Sequence, residues 1–164
     1  MEVMVAIFIV VTGLTTVLVL LTQSISGATR STNKLIAANL AQEGIEVVRN
    51  IRDLSYNGSD PNGVWTAWHT TNYSTGCTPN GVNIYLCSAQ YNSVAFGSSY
   101  NTNLNFDSTT GLYSYGAGTQ SIFKRTITLT RVSNAQLRVN SLVSWSEKGT
   151  PYNINVEDTL WNWR

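Results

Sequence analysis

Charge is scarce in this chain, and it is missing where a soluble protein most needs it. Asp, Glu, Lys and Arg make up 12% of the 164 residues, about half the usual share of ~25%. None of them falls between Val3 and Thr29. The net charge of +1 lacks the basic excess of a nucleic-acid-binding surface, which argues against that class. Histidine is nearly absent: the single His69 stands beside Trp68 in a polar stretch and reads as an exposed residue rather than a catalyst or ligand. Two cysteines and one histidine cannot build a structural zinc site. There is no Gly-x-Ser-x-Gly, no His-Glu-x-x-His and no phosphate-cradling glycine loop. The expectation is therefore a protein with no catalytic residue, no metal site and no cofactor. Proline is absent before Pro61, so nothing interrupts a helix from Met1 to Asp53.

Apolar residues fill the space that charge leaves. Val3–Leu21 is almost entirely Val, Ile, Leu, Met, Phe, Ala and Thr, long enough to cross a bilayer as a helix. A cleavable signal peptide would begin with a base and carry a shorter apolar core, whereas this run opens on Met1-Glu2. An ordinary membrane anchor explains the length but not the acid. Glu2 has two readings. It is a headgroup-level carboxylate favoured by the helix dipole, or a group that awaits a cation from another subunit, because a buried carboxylate is costly unless compensated.

The run Glu2-Val3-Met4-Val5-Ala6-Ile7-Phe8-Ile9-Val10 resembles the start of type IV pilins and pseudopilins. In that family a prepilin peptidase removes a leader, and a glutamate then opens a long apolar helix. The glutamate normally lies a few residues inside the mature N-terminus; here it is the second residue. The resemblance covers about the first third of the chain. It implies a structural subunit of an extracellular filament, a helical homopolymer held in the inner membrane before assembly and built by pilus assembly machinery. Glu2 and the amino terminus at Met1 would be the assembly residues, with the neighbour's amine as partner. It further implies that the helix can unwind in the filament around Thr12, Gly13, Thr15 and Thr16, where glycine costs about 1 kcal/mol relative to alanine. Membrane helices also tolerate such residues for close packing. A minor pilin or secretion pseudopilin is the near alternative, and a membrane-anchored surface binding protein that never polymerises is the alternative of another class.

Three segments are expected: an apolar helix over 1–29, an amphipathic half of the same helix over 30–53, and a β-rich head over 54–164. Leu35, Ala38, Ala41, Ile45 and Val48 recur at helical spacing, with Ile36, Leu40, Val47 and Ile51 in an adjacent row. Glu43, Glu46, Arg49 and Arg52 lie largely off the first row. Turn formers at 56–63 end the helix. Candidate strands follow at 64–68, 82–86, 103–107 and 112–115, the last two joined by a turn at 108–111. The clearest alternation lies at 120–132, 136–145 and 152–161, a three-stranded antiparallel meander with one apolar face and one face of Thr, Asn, Ser and Arg. The expected fold class is α+β, with the long N-terminal helix laid against a C-terminal antiparallel sheet. This independent reading agrees with the pilin resemblance.

Cys77 and Cys87 read as one disulfide in an oxidising compartment, their ends brought together by the turn sequence Thr78-Pro79-Asn80-Gly81; two buried free thiols are the other reading. Asp60, Asn62, Asn103, Asn105 and Asp107 are loop oxygens without calcium-loop spacing, so they read as turn chemistry. Asn57-Gly58-Ser59 and Asn72-Tyr73-Ser74 match the glycosylation pattern by their letters alone. Trp161 and Trp163 read most simply as core residues of the last strand.

Overall fold

The computed structural model describes residues 1–55 and 76–162. The expected turn at 56–63, strand at 64–68, His69, both glycosylation triplets, Asp60, Asn62 and Trp163 lie outside the described residues.

The absence of proline is realised as one helix, α1, Glu2–Ser55. The chain divides into two compact units, Met1–Ile36 and Ala37–Arg164. The first consists of the N-terminal part of α1. In the second, the rest of α1 packs on an antiparallel sheet of strands β1 (Thr78–Pro79), β2 (Ile84–Cys87), β3 (Asn103–Asp107), β4 (Leu112–Ser114), β5 (Thr119–Ser133), β6 (Gln136–Glu147) and β7 (Thr150–Trp161). A short 3-10 helix, Ser99–Asn101, precedes β3. The α+β class and the meander β5–β6–β7 are as expected, with longer strands.

The 15-residue β5 is the spine of the sheet. One edge carries β6 from Lys124 to Ser133; the other pairs with β3 over its N-terminal half and with β2 over its C-terminal half. Alternation places Phe123, Arg125, Ile127 and Leu129 inward, with Arg125 opposite Val143, Ile127 opposite Ser141 and Leu129 opposite Val139 of β6. The meander's second turn is Lys148-Gly149, both with positive φ (50° and 82°), the backbone that matches a two-residue hairpin to strand twist.

The helix buries Ala37, Leu40, Ala41, Ile45, Val47, Val48 and Ile51. The first sequence row is only partly right, since Leu35 is exposed at 63%. The buried stripe begins instead at Ala37, and the small residues Ala37, Ala41 and Gly44 let the helix approach the sheet closely. A Cβ at Gly44 would fall against Ser141 Oγ and within 2.9 Å of Ile127 Cδ1.

Five aromatic rings form a strip across the sheet. Phe106, Tyr113, Phe123, Trp145 and Tyr152 follow one another at centroid spacings of 5.0, 5.9, 6.0 and 5.6 Å, the offset and edge-on range that rings prefer. Trp161 is a correction: it is 54% exposed. Leu160 takes the inward position at the end of β7, and strand alternation turns its neighbour outward.

Candidate functional site

The first unit is a helix whose apolar side chains from Met1 to Ile25 are exposed. Every residue from Met1 to Thr32 is exposed, including Val3, Met4, Ile7, Phe8, Val10 and Leu14 at 57–78%. The helix is long and apolar enough to cross a membrane. Glu2 is the acid of its first turn, and the next charge along the chain is Arg30, about 40 Å away at 1.5 Å per residue. Within this unit no side-chain cation reaches Glu2.

Thr12, Gly13, Thr15 and Thr16 are helical here. Thr12 Oγ1 donates to Phe8 O at 2.8 Å, Thr15 Oγ1 to Val11 O at 3.0 Å and Thr16 Oγ1 to Thr12 O at 2.8 Å. Each hydroxyl finds an acceptor one turn back, so it can enter an apolar medium without leaving a donor unpaired. Thr22, Thr29, Ser31 and Thr32 repeat the pattern. Gly13 leaves an open notch, with nothing within 4 Å of a Cβ placed there.

Sequence reasoning missed the centre of the second unit. Arg125, expected on the polar face, is wholly buried. Its guanidinium donates to Leu40 O at 3.0 Å, donates to Ala89 O, and pairs with Glu43 Oε1 at 3.1 Å. Desolvating a cation this fully is costly unless it is paired and hydrogen-bonded; the two carbonyl oxygens and the Glu43 carboxylate meet most of that need, while Arg125 Nε has no hydrogen-bond partner among the described residues. The signal lay in its parity with Phe123 and Ile127. Tyr115 donates its hydroxyl to Arg125 O at 2.8 Å, and burial pushes its phenol above the usual value. Further along α1, Arg49 bonds Asp158 of β7 at 2.9 Å and Glu46 at 2.6 Å. The hydrogen bond to Asp158 is the largest influence holding its guanidinium protonated.

Cys77 and Cys87 are joined as a disulfide, which ties the base of the β1–β2 hairpin. Asn80 to Asn83 form its tip, with Val82 exposed at 87%. Asp107 acts as turn chemistry: it accepts the Thr109 N–H at 2.8 Å and the Thr110 hydroxyl at 2.9 Å. Among the described residues no group of three or more His, Cys, Asp and Glu is placed to hold a metal ion.

No family model, curated protein or solved structure matches this chain.

Proposed function

We propose that this chain is a filament subunit of the type IV pilin kind, held in a membrane by α1 before assembly and packed against copies of itself through α1 afterwards. The observation that carries this reading is the run of exposed apolar side chains on a helix whose only charge before Arg30 is Glu2. Such a surface needs lipid, other helices, or each in turn. The self-bonded threonines suit both environments. The disulfide and the amide- and hydroxyl-rich head suit the outside of a cell. The processing peptidase and the assembly machinery enter through the resemblance of residues 2–10 to that family.

Glu2 supplies the test. In a core of packed apolar helices its carboxylate must find a cation or become neutral. Its own helix offers no side-chain cation nearby, which leaves an amino terminus, and the resemblance of residues 2–10 implies that of a neighbouring subunit. Glu2→Gln should leave membrane insertion intact or improve it and should sharply lower filament yield, scored by electron microscopy of sheared surface material. A Glu2→Gln subunit that assembles at normal yield with unchanged helical spacing would defeat the pairing. A wild-type chain that stays in the membrane without forming filaments would favour the non-polymerising anchor.

A further inference from the structure

The sheet's outward face around Trp161 is the feature that the core does not use. Register fixes its neighbours. Trp161 sits opposite Gln136, Thr159 opposite Arg138, and Glu157 opposite Asn140, with Thr130 and Thr128 continuing the last two rows onto β5. These positions share one face because every inward neighbour on β6, from Leu137 to Trp145, is buried. The side chains therefore form a grid of pitch about 4.8 Å across the strands and about 6.8 Å along them. The two charges within this grid, Arg138 and Glu157, pair with each other at 3.4 Å and remain about half exposed. The grid is thus close to neutral, and its polar atoms are hydroxyls, amides and one self-compensated ion pair. At its corner lies an indole exposed at 54%, although Trp is usually among the more buried side chains.

We propose that this face is a carbohydrate-binding platform, with Trp161 as the stacking surface and Gln136, Arg138, Asn140, Glu157 and Thr159 as hydrogen-bonding partners for ring hydroxyls. The apolar C–H face of a pyranose matches an exposed indole, and its hydroxyls match a field of mixed donors and acceptors. Charge balance selects the class. A nucleic acid or a sulfated chain needs net positive charge, which this patch lacks, whereas a neutral oligosaccharide requires none. The proposal concerns the head alone and does not depend on whether the subunit polymerises.

The test uses the full chain in a detergent without a sugar headgroup, with maltotriose, cellotriose and chitotriose as probes in saturation-transfer NMR. Transfer to the ring protons of at least one probe is expected, unchanged by raised salt. Trp161→Ala should weaken that binding by roughly tenfold or more, equivalent to about 1.4 kcal/mol. Trp161→Tyr, which keeps an aromatic face, should retain most of it and guards against a simple folding defect. The proposal is overturned if none of the three probes receives saturation. It is equally overturned if Trp161→Ala binds as wild type, or if that change alters only self-association of the subunits.

Discussion

Replacing Arg125 by alanine would strand what it now joins. Ala89 O would lose a charged donor, and Glu43, one-third exposed, would turn to solvent. Removing one partner of a buried pair costs up to about 3–5 kcal/mol, and the partial exposure of Glu43 places the expected loss toward the lower end. Glu43→Gln is expected to cost about 1–3 kcal/mol by leaving a buried cation with carbonyl acceptors only. Combining Glu43→Gln with Arg125→Met should cost less than the sum of the two single changes. Urea unfolding of the four variants measures that coupling. Gly44 tests the same contact from the helix side. Alanine there would gain about 1 kcal/mol in helix propensity but would force its Cβ into Ser141 and Ile127, and overpacking of about 1–3 kcal/mol makes the net change destabilising. A Gly44→Ala protein with a raised midpoint would contradict the close approach.

At the scale of single elements, the β1–β2 hairpin depends on its covalent tie. Cys77 and Cys87 are 10 residues apart, and a loop of that size is worth about 2–3 kcal/mol by the chain-entropy argument. Reduction, or Cys77→Ser with Cys87→Ser, should lower the thermal midpoint and release the hairpin tip to faster amide exchange. The turn between β3 and β4 responds to pH instead. The bonds from Thr109 and Thr110, chiefly the Thr109 backbone N–H, hold the Asp107 carboxyl below its ordinary value of 3.8. The folded state therefore binds this proton less readily than the unfolded chain. The contribution is fully present above pH 3.8 and is lost as pH falls through the lower folded value. Carboxyl carbon shifts should titrate with a midpoint below 3.8 at Asp107, and Asp107→Asn should remove that step. A midpoint at or above 3.8 would mean that the two bonds do not persist in solution.

For the molecule as a whole, the two units predict two behaviours. The full chain should partition into detergent or lipid, because Val3–Leu21 is exposed and uncharged. A chain starting at Arg30 should stay in solution with a β-rich circular dichroism spectrum and should form no filaments; filaments from that chain would remove α1 as the assembly element. Much of this architecture was legible in the sequence. The unbroken helix followed from the missing prolines, and the meander followed from period-two alternation bounded by turns. What was not legible depended on contacts between distant elements. Arg125 has the chemistry of a surface residue and the parity of a core one, and only Leu40, Glu43 and Ala89 brought together in space resolve that conflict. Trp161 has the chemistry of a core residue and falls on the outward parity because Leu160 ends the inward row. Leu35 keeps helical period with the core yet precedes the point where burial begins at Ala37.

The aromatic strip has an optical consequence. Trp145 is 4% exposed and lies 5.6 Å from the Tyr152 ring, nearly parallel at 24°, with Phe123 on its other side at 6.0 Å. An indole so enclosed emits at short wavelength, receives excitation from adjacent tyrosine and couples strongly enough to give a near-ultraviolet dichroic band. Trp161 by contrast should emit at longer wavelength and be quenched readily by acrylamide. Among the described residues these are the two tryptophans, and they stand on opposite faces of the same sheet. Difference spectra of Trp145→Phe and Trp161→Phe would separate the signal that reports packing from the one that reports what touches the outer face.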